Sequence, residues 1–520
     1  DYLVPNFTNY TVREDIKHYG ISIDNKFRGY RVMYLAYDIT HMLRRGDNVA
    51  GAILGNGFYD CTTGWVCSFG SPRLLCQIEI TYADNTKEMI CTDETWKVKE
   101  SPIVADDVFA GEVYDANKET DGWCTTSCDD ADWSRAVYRN APVGTLTANT
   151  APTDKITEVL EPVSLKKLDN GTYEVDFGKE ISGWIRFKDI KGNKGDTLDV
   201  KYICESPLGV YRYIFKGTGK ESYAPRFTWY VFRKAVISGV HDLSEKNMTA
   251  EAVNTDVPID AEFRTSNPLF NKINQIWRQS QLDNMHGGIA SDCPHRERAP
   301  YTGDAQVVCT TVMHNFDAAA FYQKWIRDMR DAQNIETGYV PNGAPWQPGC
   351  GGGVPWGAAM NIMPWEFYLH YGDKKMLEDN YFAMKEQIRY MLTWLTPDST
   401  MLAQRANLNA TQPNYWLNLP SVELVHTFYL WRCADFTAKA ARVMGLQDDA
   451  RYYSVLAGNV KKAFNKKFYN PETRSYGDFG SNIFALVLGV PDDRYDDVVA
   501  TLKHEISVKY DNHLNTGIFG

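Results

Sequence analysis

Apolar and polar residues alternate with a period of two through much of the first half of the chain. Cys76, Ile78, Ile80 and Tyr82 alternate with Gln77, Glu79 and Thr81, and Asp84-Asn85 offers a turn before a second strand from about Lys87 to Cys91. The same period returns at Tyr173, Val175 and Phe177, at Ile185 and Phe187, and at Leu198, Val200 and Tyr202, with Gly192 and Gly195 between the last two. Strands at this spacing with polar turns between them predict antiparallel β-sandwiches. The Thr- and Ala-rich stretch from Gly144 to Asp154 is the expected seam between two of them. Near Ser266-Asn267-Pro268 the period changes. Leu269, Phe270, Ile273, Ile276 and Trp277 share one helical stripe, with Asn267 placed to cap it and Pro268 at its first position. Met376 to Leu395 repeats at three and four before Pro397, Ser421 to Met444 is a long amphipathic helix closed by Gly445, and Ala450 to Phe468 is another. The pattern predicts a multidomain chain: strands over 1–148 and 149–260, helices over 261–520, joined by long Gly-, Pro- and Trp-rich loops.

Composition narrows this picture. At 520 residues the chain can bury several cores. Its apolar share of 44% and charged share of 23% are those of a globular protein. A net charge of −11 argues against nucleic acid as a partner. No apolar run approaches the roughly 20 residues of a membrane span, so no membrane insertion is expected. The chain opens Asp1-Tyr2-Leu3 and reads as a processed or cropped product, which leaves a periplasmic or a cytoplasmic address open. Eleven scattered cysteines suggest neither a disulfide framework nor a structural zinc. No cofactor and no metal are expected. Asp129-Asp130-Ala131-Asp132 lacks the spacing of a calcium loop and reads better as a solvated acidic turn.

The densest reactive stretch runs from Ser291 to Asp304, Ser-Asp-Cys-Pro-His-Arg-Glu-Arg-Ala-Pro-Tyr-Thr-Gly-Asp. Asp292, Glu297 and Asp304 share it with Arg296 and Arg298, and two prolines and a glycine argue for a fixed loop with a helix starting near Asp304. Glycoside hydrolysis needs a protonated carboxylic acid at the leaving oxygen and a second carboxylate for water or for direct attack. Further carboxylates grip sugar hydroxyls, and crowding of acids raises one of their pKa values. The plainer reading is a salt-bridged loop in which the two arginines neutralise the acids, and the residues alone leave both open. A second loop, Gly338 to Trp346 running into Gly351-Gly352-Gly353-Val354-Pro355-Trp356-Gly357, has no secondary-structure period; its tryptophans fit either a sugar pocket or a core cap. The glycines lack the context of a phosphate loop. His295 has no second His at helical spacing and reads as a pocket or packing residue. No G-x-S-x-G occurs, and Cys293 precedes a proline without a matched His, so a Ser or Cys nucleophile is not expected.

The Asp292–Asp304 stretch resembles the signature of bacterial α-L-rhamnosidases of glycoside hydrolase family 78, which reads D-C-P-x-R, then E-R, then W-T-G-D. The resemblance extends over almost the whole chain, through Asn48 to Gly57, Asp176-Phe177-Gly178, Gly183-Trp184, Pro225-Arg226-Phe227, Trp325-Ile326-Arg327-Asp328, Pro364-Trp365 and Tyr371-Gly372-Asp373. It implies two β-sandwiches followed by an all-α (α/α)6 barrel, incomplete at its C-terminus, and inverting hydrolysis of terminal α-L-rhamnosides in oligosaccharides, polysaccharides or glycosides. It implies Glu297 as general acid, with Asp292, Arg296, Asp304, Tyr301, Trp356 and Trp416 holding the sugar. The family's general base follows an H-L-x-T-G-F-x-G-like segment, and His513 to Gly520 resembles that segment, so the base is expected beyond Gly520. Ala299-Pro300, Tyr301, Gly357-Ala358 and Tyr415 depart from the pattern. They bring in two alternatives, a hydrolase for another deoxy or uronic sugar and a non-catalytic carbohydrate-binding protein.

Overall fold

A computed structural model of the chain describes residues 6–10, 26–61, 68–345, 353–403 and 420–515. Strands fill the first half and helices the second. Eight strands lie side by side in the order Ile103–Asp107, Gly111–Asp115, Val210–Ile214, Thr197–Ile203, Tyr230–Ser238, Tyr173–Ile190, Met248–Thr255 and Asp154–Leu160, and Ser164–Lys167 and Glu221–Tyr223 also pair with Tyr173–Ile190. The expected stretches at 173–177 and 185–187 are thus one 18-residue strand. Its register against Tyr230–Ser238 shifts between Asp176 and Ile181, where Gly178 takes φ +79° and lets the strand bend without a break. Val175, Ile181, Ile185, Phe187, Tyr202, Tyr211 and Phe232 fill the core beneath it.

Two observations differ from the alternating pattern. Gly111–Asp115 pairs in parallel with Val210–Ile214, so strands from both sides of position 148 share one sheet. Thr145–Ala148, inside the expected seam, is itself a strand and pairs in parallel with Arg31–Tyr34. A two-residue period fixes which face of a strand is buried, but it is blind to partner and direction.

The helices are α1 (Pro268–Asp283), α2 (Thr302–Asn315), α3 (Ala319–Asp331), α4 (Val354–Gly357), α5 (Ala359–Tyr371), α6 (Lys374–Leu392), α7 (Val422–Met444), α8 (Gln447–Lys467), α9 (Ser481–Leu488) and α10 (Asp492–His504). The Asn267 side chain accepts from the Leu269 amide at 2.9 Å and so caps α1. Gly372 and Gly445 end α5 and α7 in the left-handed conformation and turn the chain into α6 and α8. Of the α1 stripe, Trp277 packs inward, while Leu269, Phe270, Ile273 and Ile276 are each more than half exposed.

The two halves meet over a buried ionic joint. Asp328 on α3 is fully buried and pairs with Arg31 and, at 2.7 Å, with Lys324; Arg31 also reaches Asp331 at 2.5 Å. Lys324 donates in addition to the carbonyls of Gly287 and Gly288 at 3.3 and 3.2 Å, which lie in the hairpin formed by Met285–His286 and Ile289–Ala290. Removing one member of such a group strands the others as uncompensated buried charges. Asp328→Ala is therefore expected to cost about 3–5 kcal/mol of stability, read as a lower urea midpoint at neutral pH. A midpoint equal to the parent's would show that the joint does not hold the halves together.

Candidate active site

The hairpin at Met285–Ala290 leads directly into the carboxylate loop, which closes on itself. The Asp292 amide donates to the Ala299 carbonyl at 3.2 Å, the Ala299 amide donates back to the Asp292 carboxylate at 3.3 Å, and the Arg298 amide reaches the Cys293 carbonyl at 3.1 Å. The second Gly- and Pro-rich loop docks along it. The Thr302 amide donates to the Asn342 carbonyl at 2.7 Å, and the Ala344 amide to the Pro300 carbonyl at 3.0 Å. Helix α2 then starts at Thr302 and carries Asp304 in its first turn, as the prolines and glycine predicted. Gly303 is required there, since a Cβ would lie 2.7 Å from the Trp356 indole, which packs directly on this first turn of α2.

Glu297 is buried, with its side chain 8% exposed. One carboxylate oxygen meets Arg296 at 2.9 Å, and the other accepts from the Tyr301 hydroxyl at 2.7 Å. Arg296 is half exposed, and the negative charge of Glu297 holds its guanidinium above the ordinary value. Burial pushes Asp292 up to about 6, with the neighbouring Glu297 charge adding to it and the Cys293 thiol hydrogen bond opposing it. Burial likewise pushes Asp304 up to about 7, followed by the charges of Asp292 and Glu297. The loop thus gathers three neighbouring carboxyl groups, of which burial shifts Asp292 and Asp304 towards neutrality and Glu297 alone holds a cation in direct contact. Arg298 does not neutralise them. It turns the other way, towards the strand ends of the first half, where its guanidinium donates to the carbonyls of Pro294 at 2.9 Å, Trp229 at 2.7 Å and Val108. The salt-bridged reading holds for Arg296 and fails for Arg298.

The structure brings together Asp292, Arg296, Glu297, Tyr301, Asp304 and Trp356 on one loop and the helix starts beside it. Trp416, like Trp346, lies outside the described residues. His295 sits 4.0 Å from Glu205, as a partly exposed neighbour of the loop. Burial pushes the Cys293 thiol up to about 11, which suits it poorly as a nucleophile. Among the described residues no three His, Cys, Asp or Glu side chains are gathered as metal ligands, and no helix is long and apolar enough to cross a membrane. In the acidic turn at 129–132, Asp130 and Asp132 pair with Lys97 and Lys99. Sequence reasoning missed Val108, Phe109 and Trp229, which support the loop from positions beside strand ends distant in the chain; no local signal marks them.

Comparison with known proteins decides the family. Residues 259–520 match the model of the bacterial α-L-rhamnosidase six-hairpin glycosidase domain, and residues 25–158 that of the α-L-rhamnosidase N-terminal domain. The chain belongs to the bacterial α-L-rhamnosidase family. An α-L-rhamnosidase of Streptomyces avermitilis is 31% identical over 94% of this chain and 49% of its own length, and one of Formosa agariphila 29% identical over 94% and 56%. The chain spans about half the length of the curated rhamnosidases it matches. Among solved structures, the Streptomyces avermitilis α-L-rhamnosidase complexed with L-rhamnose superposes with a TM-score of 0.83 at 27% identity, covering 99% of this chain and 50% of that one. The α-L-rhamnosidase from Dictyoglomus thermophilum gives 0.77 at 32% identity, over 86% and 52%. A strand-rich N-terminal half before a helical glycosidase domain is therefore the rhamnosidase arrangement, as expected from the loop signature.

The raised acids carry a pH consequence. In the unfolded chain Asp titrates near 3.9, whereas folded Asp304 does so near 7, so the native state binds more protons in between. Stability from this group is then full below about pH 4 and falls as pH rises through 7. Asp304→Asn should be more stable than the parent at pH 8, by on the order of 2 kcal/mol, and lose that advantage near pH 4. Urea midpoints at the two pH values test this; an equal difference at both would show that Asp304 is not held protonated by the fold.

Proposed function

We propose that the whole protein hydrolyses terminal α-L-rhamnosides with inversion, and that Glu297 protonates the departing glycosidic oxygen. The observation that carries this reading is the grip on Glu297 by Arg296 and Tyr301 within a cluster of buried acids. As the acid gives up its proton, negative charge develops on a carboxylate already faced by a guanidinium and a phenol. Their stabilisation grows along the reaction coordinate and needs no reorganisation. Asp292 and Asp304, with protons exchanging near neutral pH, are suited to donate to sugar hydroxyls as well as to accept from them. Arg296, Tyr301, Trp356 and Trp416 complete the rhamnose site in this proposal. Inversion needs a base roughly 6.5–9.5 Å from the acid, across the sugar, and the resemblance assigns that base to residues beyond Gly520.

The finer architecture belongs to the same proposal. It comprises two β-sandwiches, 1–148 and 149–260, and the start of an (α/α)6 barrel over 261–520, with Ile103–Asp107 and Gly111–Asp115 lent by the first region to the sheet of the second. A neutral deoxy sugar is favoured over a uronate. With Arg298 turned away towards Val108 and Trp229, the loop faces a ligand with three acids and Arg296, which Glu297 already occupies.

Glu297→Gln keeps the shape and removes the proton. Its kcat on an aryl α-L-rhamnoside is expected to fall by roughly 10²–10⁴-fold. An unaffected variant would take Glu297 out of the mechanism, and a parent enzyme silent on rhamnosides but active on another aryl glycoside would move the proposal to that sugar.

A further inference from the structure

Arg298 belongs to the loop but has no part in the chemistry above, yet it is tightly held. Its guanidinium is buried, 4% exposed, and touches no carboxylate among the described residues, the charge of Asp107 acting on it only from a distance. Three main-chain carbonyls and two ring faces hold it instead. Nε donates to Pro294, Nη2 to Trp229 and Nη1 to Val108, while the Trp229 ring lies 4.5 Å and the Phe109 ring 5.7 Å from the guanidinium carbon. A buried cation with no carboxylate in contact is an expensive way to fill space, and an apolar side chain of similar volume would serve packing better. What a planar fork does provide is direction, since its donors fix three carbonyls relative to one another.

Those carbonyls belong to the loop and to two separated segments of the strand-rich half. The Pro294 oxygen accepts from Arg298 Nε and also, at 3.3 Å, from the Trp229 indole N–H, so positions 294 and 298 are pinned at one point. Trp229 in turn stacks on His286 at 4.0 Å and 8°, within the hairpin that feeds the loop. Arg298 has φ +53°, a left-handed conformation disfavoured for a side chain with a Cβ and sustained here by these contacts. That local reversal is what sends consecutive side chains to opposite sides, Arg298 towards Val108 and Trp229 and Glu297 towards Arg296 and Tyr301.

We propose that Arg298 is a positioning residue for the proton transfer: by clamping the loop to Val108 and Trp229 it fixes where the Glu297 carboxyl points. This rests on the reading of Glu297 as the proton donor. The strand-rich half then takes part in catalysis at a distance, as the rigid plate against which the acid is aimed. Lys at 298 can keep the charge but, as a single point donor, cannot hold three carbonyls.

The test uses the whole protein and two rhamnosides that differ in their need for an acid. A dinitrophenyl α-L-rhamnoside departs as a stable anion without protonation, whereas methyl α-L-rhamnoside requires it. Arg298→Lys is expected to lower kcat on the methyl glycoside by about 10²-fold and on the dinitrophenyl glycoside by less than about tenfold, with KM changed by less than about threefold. Trp229→Phe, which retains a ring face but loses the N–H bond to Pro294, is expected to show the same leaving-group dependence with a loss of about tenfold. Equal losses on both substrates, or none, would overturn the inference, and if Arg298→Lys fails to fold, Trp229→Phe decides in the same way. Glu297→Gln run beside them separates the two levels. If it shows leaving-group dependence and the anchor variants do not, the clamp alone is wrong; if it shows none, Glu297 is not the donor and the inference falls with it.

Discussion

The contact on which the site's geometry depends is between a buried guanidinium and main-chain carbonyls. Arg298 reaches from the carboxylate loop into the strand-rich half and is received by Pro294, Val108 and Trp229 rather than by an acid. A carboxylate partner could swing with the cation, since both would be side chains. Main-chain carbonyls next to strand ends swing less freely, because the Val108 turn joins Ile103–Asp107 to Gly111–Asp115 and Trp229 directly precedes Tyr230–Ser238. The loop is thereby tied to the ends of paired strands. Its other restraints, the Asp292–Ala299 closure and the docking of residues 342–344 on 300–302, are local and complete a frame that this anchor orients.

Within that frame the three acids are placed in unlike surroundings. Glu297 has a cation and a phenol in direct contact, whereas Asp292 and Asp304 have burial and one another's charge. Divergent environments around similar groups are how one cluster supplies both a group whose developing charge is stabilised and groups that keep protons near neutrality. Sequence spacing alone could not assign these environments, since Arg296 and Arg298 stand symmetrically about Glu297 and only the backbone reversal at 298 separates them.

That reversal shows where the sequence was legible and where it was not. Features whose cause is local were readable: the Asn267 cap, the glycine ending α7, the strand period at Thr197–Ile203, and the fixed loop of acids leading into α2. Features decided by distant partners were not. The sheet crossing position 148, the parallel ladders and the merging of two periodic stretches into Tyr173–Ile190 depend on which strands meet. The α1 stripe was legible as a stripe, while its exposure depends on what packs against it. The support of the loop by Val108, Phe109 and Trp229 joins residues up to 190 positions apart and leaves no local trace.

The frame also explains how the fold tolerates an unfavourable site. Asp292 and Asp304 are carboxyl groups that burial disfavours in their charged form, and Arg298 is a cation taken out of water with no acid in contact. Left to themselves, such groups would draw the loop outward into solvent, where hydration would relieve them. The surrounding structure opposes this through burial that does not depend on the loop: the aromatic core under Tyr173–Ile190 on one side and the ionic joint of Arg31, Lys324 and Asp328 on the other. Lys324 ties that joint to the carbonyls of Gly287 and Gly288, so the same hairpin that begins the loop is held from behind by charge and from the side by the Trp229 stack. Stability is concentrated around the site rather than in it, as expected where function needs acids kept partly dry.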